Sequence, residues 1–153
     1  MVYLFDQNSK ETIVNYFTSL NIDLTKFLDK GQLVFRSSSE VYWDPVDVSA
    51  SSSSNPKAIT FSPDATISKL NDTLEEALKA GYSKLRVTGE ADWASRLSLE
   101  EKFFEYEHKL YNFFATKPCV ALCQFDAKRF SSSCLMNALT CHPKVTLLAL
   151  FLT

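Results

Sequence analysis

The stretch SKLRVTGEADWASRLSLEEKFFEYEHKLYNFFATKPCVALCQF, residues 83–125, decides the fold class of this chain. It begins with a β-like run that ends at Gly89 and closes with a largely apolar run over residues 119–125. Between the two runs, apolar side chains recur at steps of four, three, four and three, which is typical of a helix with one buried face. These residues are Leu99, Phe103, Tyr106, Leu110 and Phe113. A strand, a helix and a second strand in this order predict two parallel strands joined by a crossover helix.

The alternation of strands and helices extends over the rest of the chain. Strands are predicted at residues 2–5, 33–35 and 144–152, and helices at residues 8–20, 23–29, 63–80 and 131–141. Ser98 with Glu101 has the capping-box pattern and predicts the start of the long helix, and Ser62-Pro63-Asp64 predicts the start of another. We therefore expect an α/β fold with a mainly parallel sheet flanked by helices. One domain is expected over residues 1–153, with a flexible serine-rich loop at about 43–62.

Composition narrows the classes of function. The 153 residues carry 16 basic and 18 acidic side chains, which are interspersed, so we expect no direct binding of nucleic acid. The three glycines, Gly31, Gly81 and Gly89, stand too far apart for a phosphate-binding loop or a dinucleotide fingerprint. The N-terminus lacks the pattern of a secretion signal, and the longest apolar run, residues 145–152, is too short to cross a bilayer. These features predict a cytoplasmic protein that is not inserted in a membrane.

The four cysteines lie in the last quarter of the chain, at Cys119, Cys123, Cys134 and Cys141. This clustering differs from a secreted disulfide framework and predicts reduced thiols. Cys119 and Cys123 on one strand lie about 13 Å apart, and Cys134 and Cys141 on one helix lie about 10 Å apart. Neither pair can share a tetrahedral zinc ion. We therefore expect no metal site, with only a pairing between elements left open, and a thiol redox switch remains an alternative function.

Several segments of the chain resemble one known family. From Gly81 onward they are GYSKLRVTGEADWASR, EYEHKLYNFF, ALCQFDAKRF and ALTCHPKV, and nearer the N-terminus they are VYLFDQNS and LNIDLTKFLDKGQLVFRSSSEVY. In order and spacing these segments resemble the MEDS domain, a sensory domain of methanogens and methylotrophs. The resemblance implies a three-layer sandwich like that of the RecA and KaiC ATPases, without their phosphate loop. It also implies that the chain is N-terminally shortened by one strand-helix unit.

The resemblance implies a function as well. Members of this family accompany DNA-binding, PAS or kinase modules and are thought to recognise small hydrocarbon derivatives, such as halomethanes or methylated compounds. We therefore expect a non-catalytic sensory domain that binds a small-molecule ligand, uses no cofactor and acts on a signalling or transcription-regulatory partner protein. A missing interior strand would leave unpaired backbone groups in the sheet. We accordingly predict a homo-oligomer, with residues 2–5 or 145–152 at its interface.

The ligand site is expected at the carboxyl ends of the strands, where open α/β sheets bind their ligands. The candidate ligand-binding residues are Glu90, Trp93, Gln124, Asp126 and Arg129. Glu90 and Asp126 can accept hydrogen bonds or pair with Arg129, and Trp93 can supply an apolar or cation-binding wall. Two alternatives stay open. Asp126 and Arg129 could only hold a loop together, or Glu90 could be the general base of a degenerate RecA-like nucleotide hydrolase that survives as an interaction module.

Overall fold

The computed structural model describes residues 1–44 and 60–146 of the chain. The strands are β1 (Val2–Phe5), β2 (Val34–Ser37), β3 (Trp43–Asp44), β4 (Thr60–Phe61), β5 (Leu85–Glu90) and β6 (Cys119–Gln124). The helices are α1 (Lys10–Ser19), α2 (Thr25–Asp29), α3 (Ser38–Tyr42), α4 (Pro63–Lys79), α5 (Asp92–Arg96), α6 (Glu100–Thr116) and α7 (Ser132–Cys141). In the described part of the chain, no helix is long and apolar enough to span a membrane.

Four strands form a parallel sheet in the order β2-β1-β5-β6. Strand β2 lies on one side of β1, and β5 and β6 lie on the other side. Since β-α-β crossovers are right-handed, connections that run in opposite directions along the sheet place their helices on opposite faces. Helix α1 therefore lies on one face, and α4 and α6 lie on the other. This arrangement is an α/β fold with helices flanking a parallel sheet, consistent with a three-layer sandwich. The predicted fold class is confirmed.

The direction of the chain connections reverses between β1 and β5, which makes this pair the switch point of the sheet. Leu4 of β1 lies opposite Gly89 of β5. A Cβ atom at Gly89 would stand only 3.0 Å from the Leu4 Cβ, so glycine allows the close packing on this face. Strand β1 is paired on both sides, so it does not offer the unpaired sheet edge on which the predicted interface at residues 2–5 depended.

An aromatic cluster fills the core between the sheet and α6. Trp93 of α5 is completely buried, at 0% exposure. Its ring stacks on Tyr42 with 4.5 Å between centroids, and meets Phe61 edge-on at 4.9 Å and Phe103 edge-on at 5.4 Å. These rings come from α3, β4, α5 and α6. One tryptophan thus joins elements from distant parts of the sequence.

The structure corrects the predicted start of the long helix. Ser98 has a left-handed φ of +54° and its N–H donates to the Ser95 carbonyl. The Leu99 N–H donates to the Ala94 carbonyl at 2.8 Å. These two bonds form the Schellman motif that ends α5. The capping box predicted at Ser98 is therefore wrong, because the residue is already used to terminate the preceding helix.

Other local predictions have mixed outcomes. The Ser62 hydroxyl caps α4 with Pro63 in its first turn, as predicted. Within the predicted serine-rich loop, β3 pairs antiparallel with β4, and residues 45–59 of that loop lie outside the described residues. The strand predicted at 144–152 is not assigned at 144–146, and its remaining residues also lie outside the described part.

Candidate functional site

The carboxyl ends of β1, β5 and β6 surround a concavity of about 400 Å³, which we call the edge concavity. Four of the five predicted ligand-binding residues line it: Glu90, Gln124, Asp126 and Arg129. The sheet brings them together because Glu90 lies directly opposite Gln124 in the register of β5 and β6. The remaining lining residues are Gln7, Asn8, Asp92 and Phe125.

Trp93 does not line the edge concavity, and its prediction as a wall of that site is wrong. Its indole lies in the aromatic cluster with no exposed surface. The short helix α5 begins at Asp92, so consecutive side chains there diverge. Asp92 borders the edge concavity, whereas the next residue packs into the core.

Glu90 organises the first loop at this edge. One oxygen of its buried carboxylate accepts a hydrogen bond from the Gln7 backbone N–H at 2.8 Å, and the other accepts from the Asn8 side-chain amide at 2.9 Å. Hydrogen bonds to a charged acceptor are among the stronger ones in proteins. Glu90 therefore connects the end of β5 to the loop after β1.

The loop after β6 is held in a similar way. The Asp92 carboxylate accepts from the Asp126 backbone N–H at 3.1 Å and lies 3.6 Å from Arg129 Nε. Asp126 pairs with Arg129 at 3.2 Å. Burial raises the pKa of Asp92, while the Lys128 backbone N–H lowers the pKa of Asp126. The polar groups of the edge concavity thus largely satisfy one another.

A second cavity, which we call the main cavity, lies between the sheet and helices α3, α4 and α6. It holds about 130 Å³. Apolar side chains from strands and helices form most of its wall, including Val2, Leu4, Leu70, Val87, Leu110, Phe114 and Ala121. Polar groups at its boundary include Arg36, Glu40, Glu107 and Cys123. Apolar cavities of this size bind molecules as small as benzene or xenon.

Three potential metal-ligating side chains meet beside the main cavity, and two of them, Glu107 and Cys123, line it. Glu107 of α6, Cys123 of β6 and His142 after α7 present donor atoms that all lie within 4.8 Å of one another. Glu107 is only 3% exposed. Burial raises the pKa of Glu107 to about 7, and it also raises the pKa of the Cys123 thiol. We call these three residues the Glu-Cys-His cluster.

Sequence reasoning missed this cluster because it compared cysteines within single elements. One signal was present: Glu107 lies four residues after Phe103 and three before Leu110, on the apolar face of the predicted helix. A carboxylate in such a position is an exception that points to a partner or a function. The partners themselves come from two other elements, whose approach to α6 is a tertiary property.

The fold and these sites define a doubly wound α/β domain that has both a polar edge concavity and a small, mostly apolar cavity. Residues 1–143 match the family model described as MEDS, the methanogen/methylotroph, DcmR sensory domain. The chain belongs to this family. It is also similar to the transcriptional repressor DcmR of Methylorubrum extorquens, with 40% identity over 77 residues. That match covers 46% of this chain and 29% of the repressor, so the chain spans well under two thirds of this relative.

Proposed function

We propose that the chain is a non-catalytic, ligand-sensing domain of a transcription-regulatory system, and that its ligand is a small hydrocarbon derivative. The membership in a sensory-domain family and the similarity to a repressor support a regulatory role. The main cavity is the single observation that carries the ligand class. Its walls are mostly apolar, and its volume of about 130 Å³ admits only a few heavy atoms. Halomethanes and small methylated compounds have this size and character.

The main cavity suits such a ligand better than the edge concavity. An apolar molecule gains free energy by leaving water for an apolar pocket. The edge concavity offers mostly charged and amide groups, which already bond to one another. A ligand there would have to replace those bonds, whereas most of the wall of the main cavity is apolar.

The two alternative functions have less support. Glu90 is buried, and each of its carboxylate oxygens holds the loop after β1 by a hydrogen bond, which fits a structural role better than that of a general base. A thiol switch needs reactive thiolates. Burial raises the pKa of Cys119 to about 11, and it raises the pKa of Cys123 and Cys141 as well. Binding without catalysis is therefore the function we propose.

The domain must also pass its ligand signal to another part of the regulatory system. The similar protein in Methylorubrum extorquens is a transcriptional repressor. We propose that the ligand signal passes to a regulatory protein module in the cytoplasm through protein contacts, since basic and acidic residues are interspersed and do not favour direct contact with nucleic acid.

The ligand proposal predicts stabilisation by small halogenated or methylated compounds. At a free concentration of 100 times Kd, a ligand that binds only the folded state adds about 2.7 kcal/mol of stability. For a domain of this size the melting temperature then rises by roughly 5–10 °C. A series of halomethanes and the corresponding alcohols, measured by thermal unfolding and by ligand-observed NMR, provides the test.

Ala121→Met fills the main cavity and is expected to abolish the stabilisation, because Ala121 forms part of its wall. Ala127→Met adds the same atoms at an exposed loop position and serves as the matched control. Arg129→Gln tests the edge concavity, where this residue lies. Loss of binding in Arg129→Gln together with normal binding in Ala121→Met would move the ligand to the edge concavity.

Self-association is the last part of the proposal. Val120 and Leu122 of β6 are 55% and 64% exposed. They alternate along β6 with the less exposed Ala121 and Cys123, so their side chains point to the more exposed face of the strand. Contiguous exposed apolar surface marks protein–protein contact sites, and we place the interface at these two residues.

We expect sedimentation velocity at micromolar concentration to detect a dimer or larger closed assembly. Leu122→Lys should shift the protein to monomer, because a charge in an apolar interface is costly. Met136→Lys places the same charge on α7, at another exposed apolar residue, and is the control. A wild-type monomer throughout the concentration range would contradict this part of the proposal.

A further inference from the structure

The Glu-Cys-His cluster has the composition of a metal site. A carboxylate oxygen, a thiol sulfur and an imidazole nitrogen are three ligand types that zinc accepts. They come from α6, from β6 and from the end of α7, so the packing of the fold, not a local loop, brings them together. We propose that Glu107, Cys123 and His142 bind one divalent transition-metal ion of the zinc class.

The orientation of His142 supports this proposal. Its Nδ1 lies 2.7 Å from the Ala138 carbonyl oxygen, which can only accept a hydrogen bond. Nδ1 therefore carries hydrogen, and in the neutral ring Nε2 has the free lone pair. A backbone carbonyl bonded to the other ring nitrogen is the usual means of orienting a metal-binding histidine.

The atom that faces the Nε2 lone pair is a carboxylate oxygen, which is also a hydrogen-bond acceptor. Nε2 lies 3.2 Å from Oε2 of the buried Glu107, so two lone-pair atoms face each other at the edge of the core. Such a pair needs a proton or a cation between its members. The Cys123 Sγ also lies within 4.8 Å of this carboxylate and of the imidazole. A cation at this point would thus be in contact with all three side chains.

The distances fit a tetrahedral ion after a small contraction. Zinc lies about 2.0–2.3 Å from its ligands, which places neighbouring donors of a tetrahedral site about 3.3–3.8 Å apart. The nitrogen and carboxylate oxygen already lie 3.2 Å apart, and the three donors all fall within 4.8 Å. Rotation of the cysteine and glutamate side chains closes the remaining gap.

Charge also favours a divalent ion. A thiolate and a carboxylate supply two negative charges, and neutral imidazole supplies none, so a divalent cation makes the buried site neutral. Binding releases the thiol proton of Cys123 and the proton between Glu107 and His142 to solvent.

Three protein ligands leave one coordination position open. Glu107 and Cys123 also line the main cavity, so the ion would lie at its boundary. A ligand in that cavity could then contact the metal, an extension that rests on the proposed function. The metal site itself does not depend on it.

The test uses the full chain after treatment with a chelator. Titration with Zn²⁺ alone, followed by dialysis and elemental analysis, is expected to show one ion per chain. Co²⁺ alone is expected to produce the thiolate-to-cobalt charge-transfer band in the near ultraviolet and the visible bands of a tetrahedral ion. No retained Zn²⁺ and no charge-transfer band would overturn the proposal.

Matched variants locate the site. Cys123→Ser should remove the charge-transfer band, and both Cys123→Ser and His142→Gln should weaken Zn²⁺ binding by at least about 100-fold, since changes outside the ligand shell already cost 10–100-fold. Cys134→Ser, at a cysteine outside the cluster, should bind like the wild type. A persistent band in Cys123→Ser, or an equal loss in Cys134→Ser, would overturn the assignment. Circular dichroism of each metal-free variant checks folding, and His142→Gln decides the matter if the cysteine variant does not fold.

Discussion

Replacing Trp93 with alanine is expected to lower the free energy of unfolding by about 3–5 kcal/mol. The indole has no exposed surface and packs against Tyr42, Phe61 and Phe103. Removing it leaves a cavity among rings from four elements, which cannot all shift to fill the space. Urea unfolding followed by circular dichroism measures the effect, and the melting temperature should fall by roughly 6–20 °C.

Two further variants make this prediction specific. Trp93→Phe keeps an aromatic ring and should cost less, because among the described residues Trp93 Nε1 has no hydrogen-bond partner to lose. Tyr16→Ala removes an aromatic side chain that is 63% exposed and should change stability by less than about 0.5 kcal/mol. Equal losses in Trp93→Ala and Tyr16→Ala would show that the cluster is not the centre of the core.

Glu90→Gln is expected to lower the free energy of unfolding by roughly 2–3 kcal/mol. The buried carboxylate accepts one hydrogen bond from the Gln7 N–H and one from the Asn8 amide. A glutamine can accept only one of them, and its NH₂ group then faces a donor. The loss of charge weakens the remaining bond. Chemical unfolding measures the change.

Variants of the residues that bond to Glu90 should lower the free energy of unfolding by smaller amounts. Asn8→Ala removes one of the two donors and should cost about 1–1.5 kcal/mol. Gln7→Ala keeps its backbone N–H and should have little effect. Glu101→Gln makes the same chemical change at an exposed position of α6 and is expected to stay within about 0.5 kcal/mol of the wild type. A loss in Glu101→Gln as large as that in Glu90→Gln would attribute the effect to net charge.

Much of the fold could be predicted from local patterns. The step of three and four in α6 reflects the geometry of one helix with one buried face, so the residues alone determine it. The apolar run of β6 and the cap at Ser62 are similarly local. Ser98 shows where such reasoning fails. Its hydroxyl fits a cap, but the packing that terminates α5 uses its backbone first.

The residues of the candidate site also differ in whether their positions could be predicted from local patterns. Glu90, Gln124, Asp126 and Arg129 could be placed together because parallel strands end at one edge. The direction of the Trp93 side chain could not be predicted, since the single turn of α5 has no periodicity long enough to indicate a buried face.

By itself, the sequence determined the fold class, the edge at which polar residues gather and the family to which the chain belongs. Each of these depends on spacing along one element or on the shared direction of parallel strands. Only the tertiary structure decided that Trp93 is core, that an apolar cavity lies beneath α4 and α6, and that Glu107, Cys123 and His142 meet. These features depend on distances between elements far apart in the chain, which are set by how side chains of different helices and strands pack together.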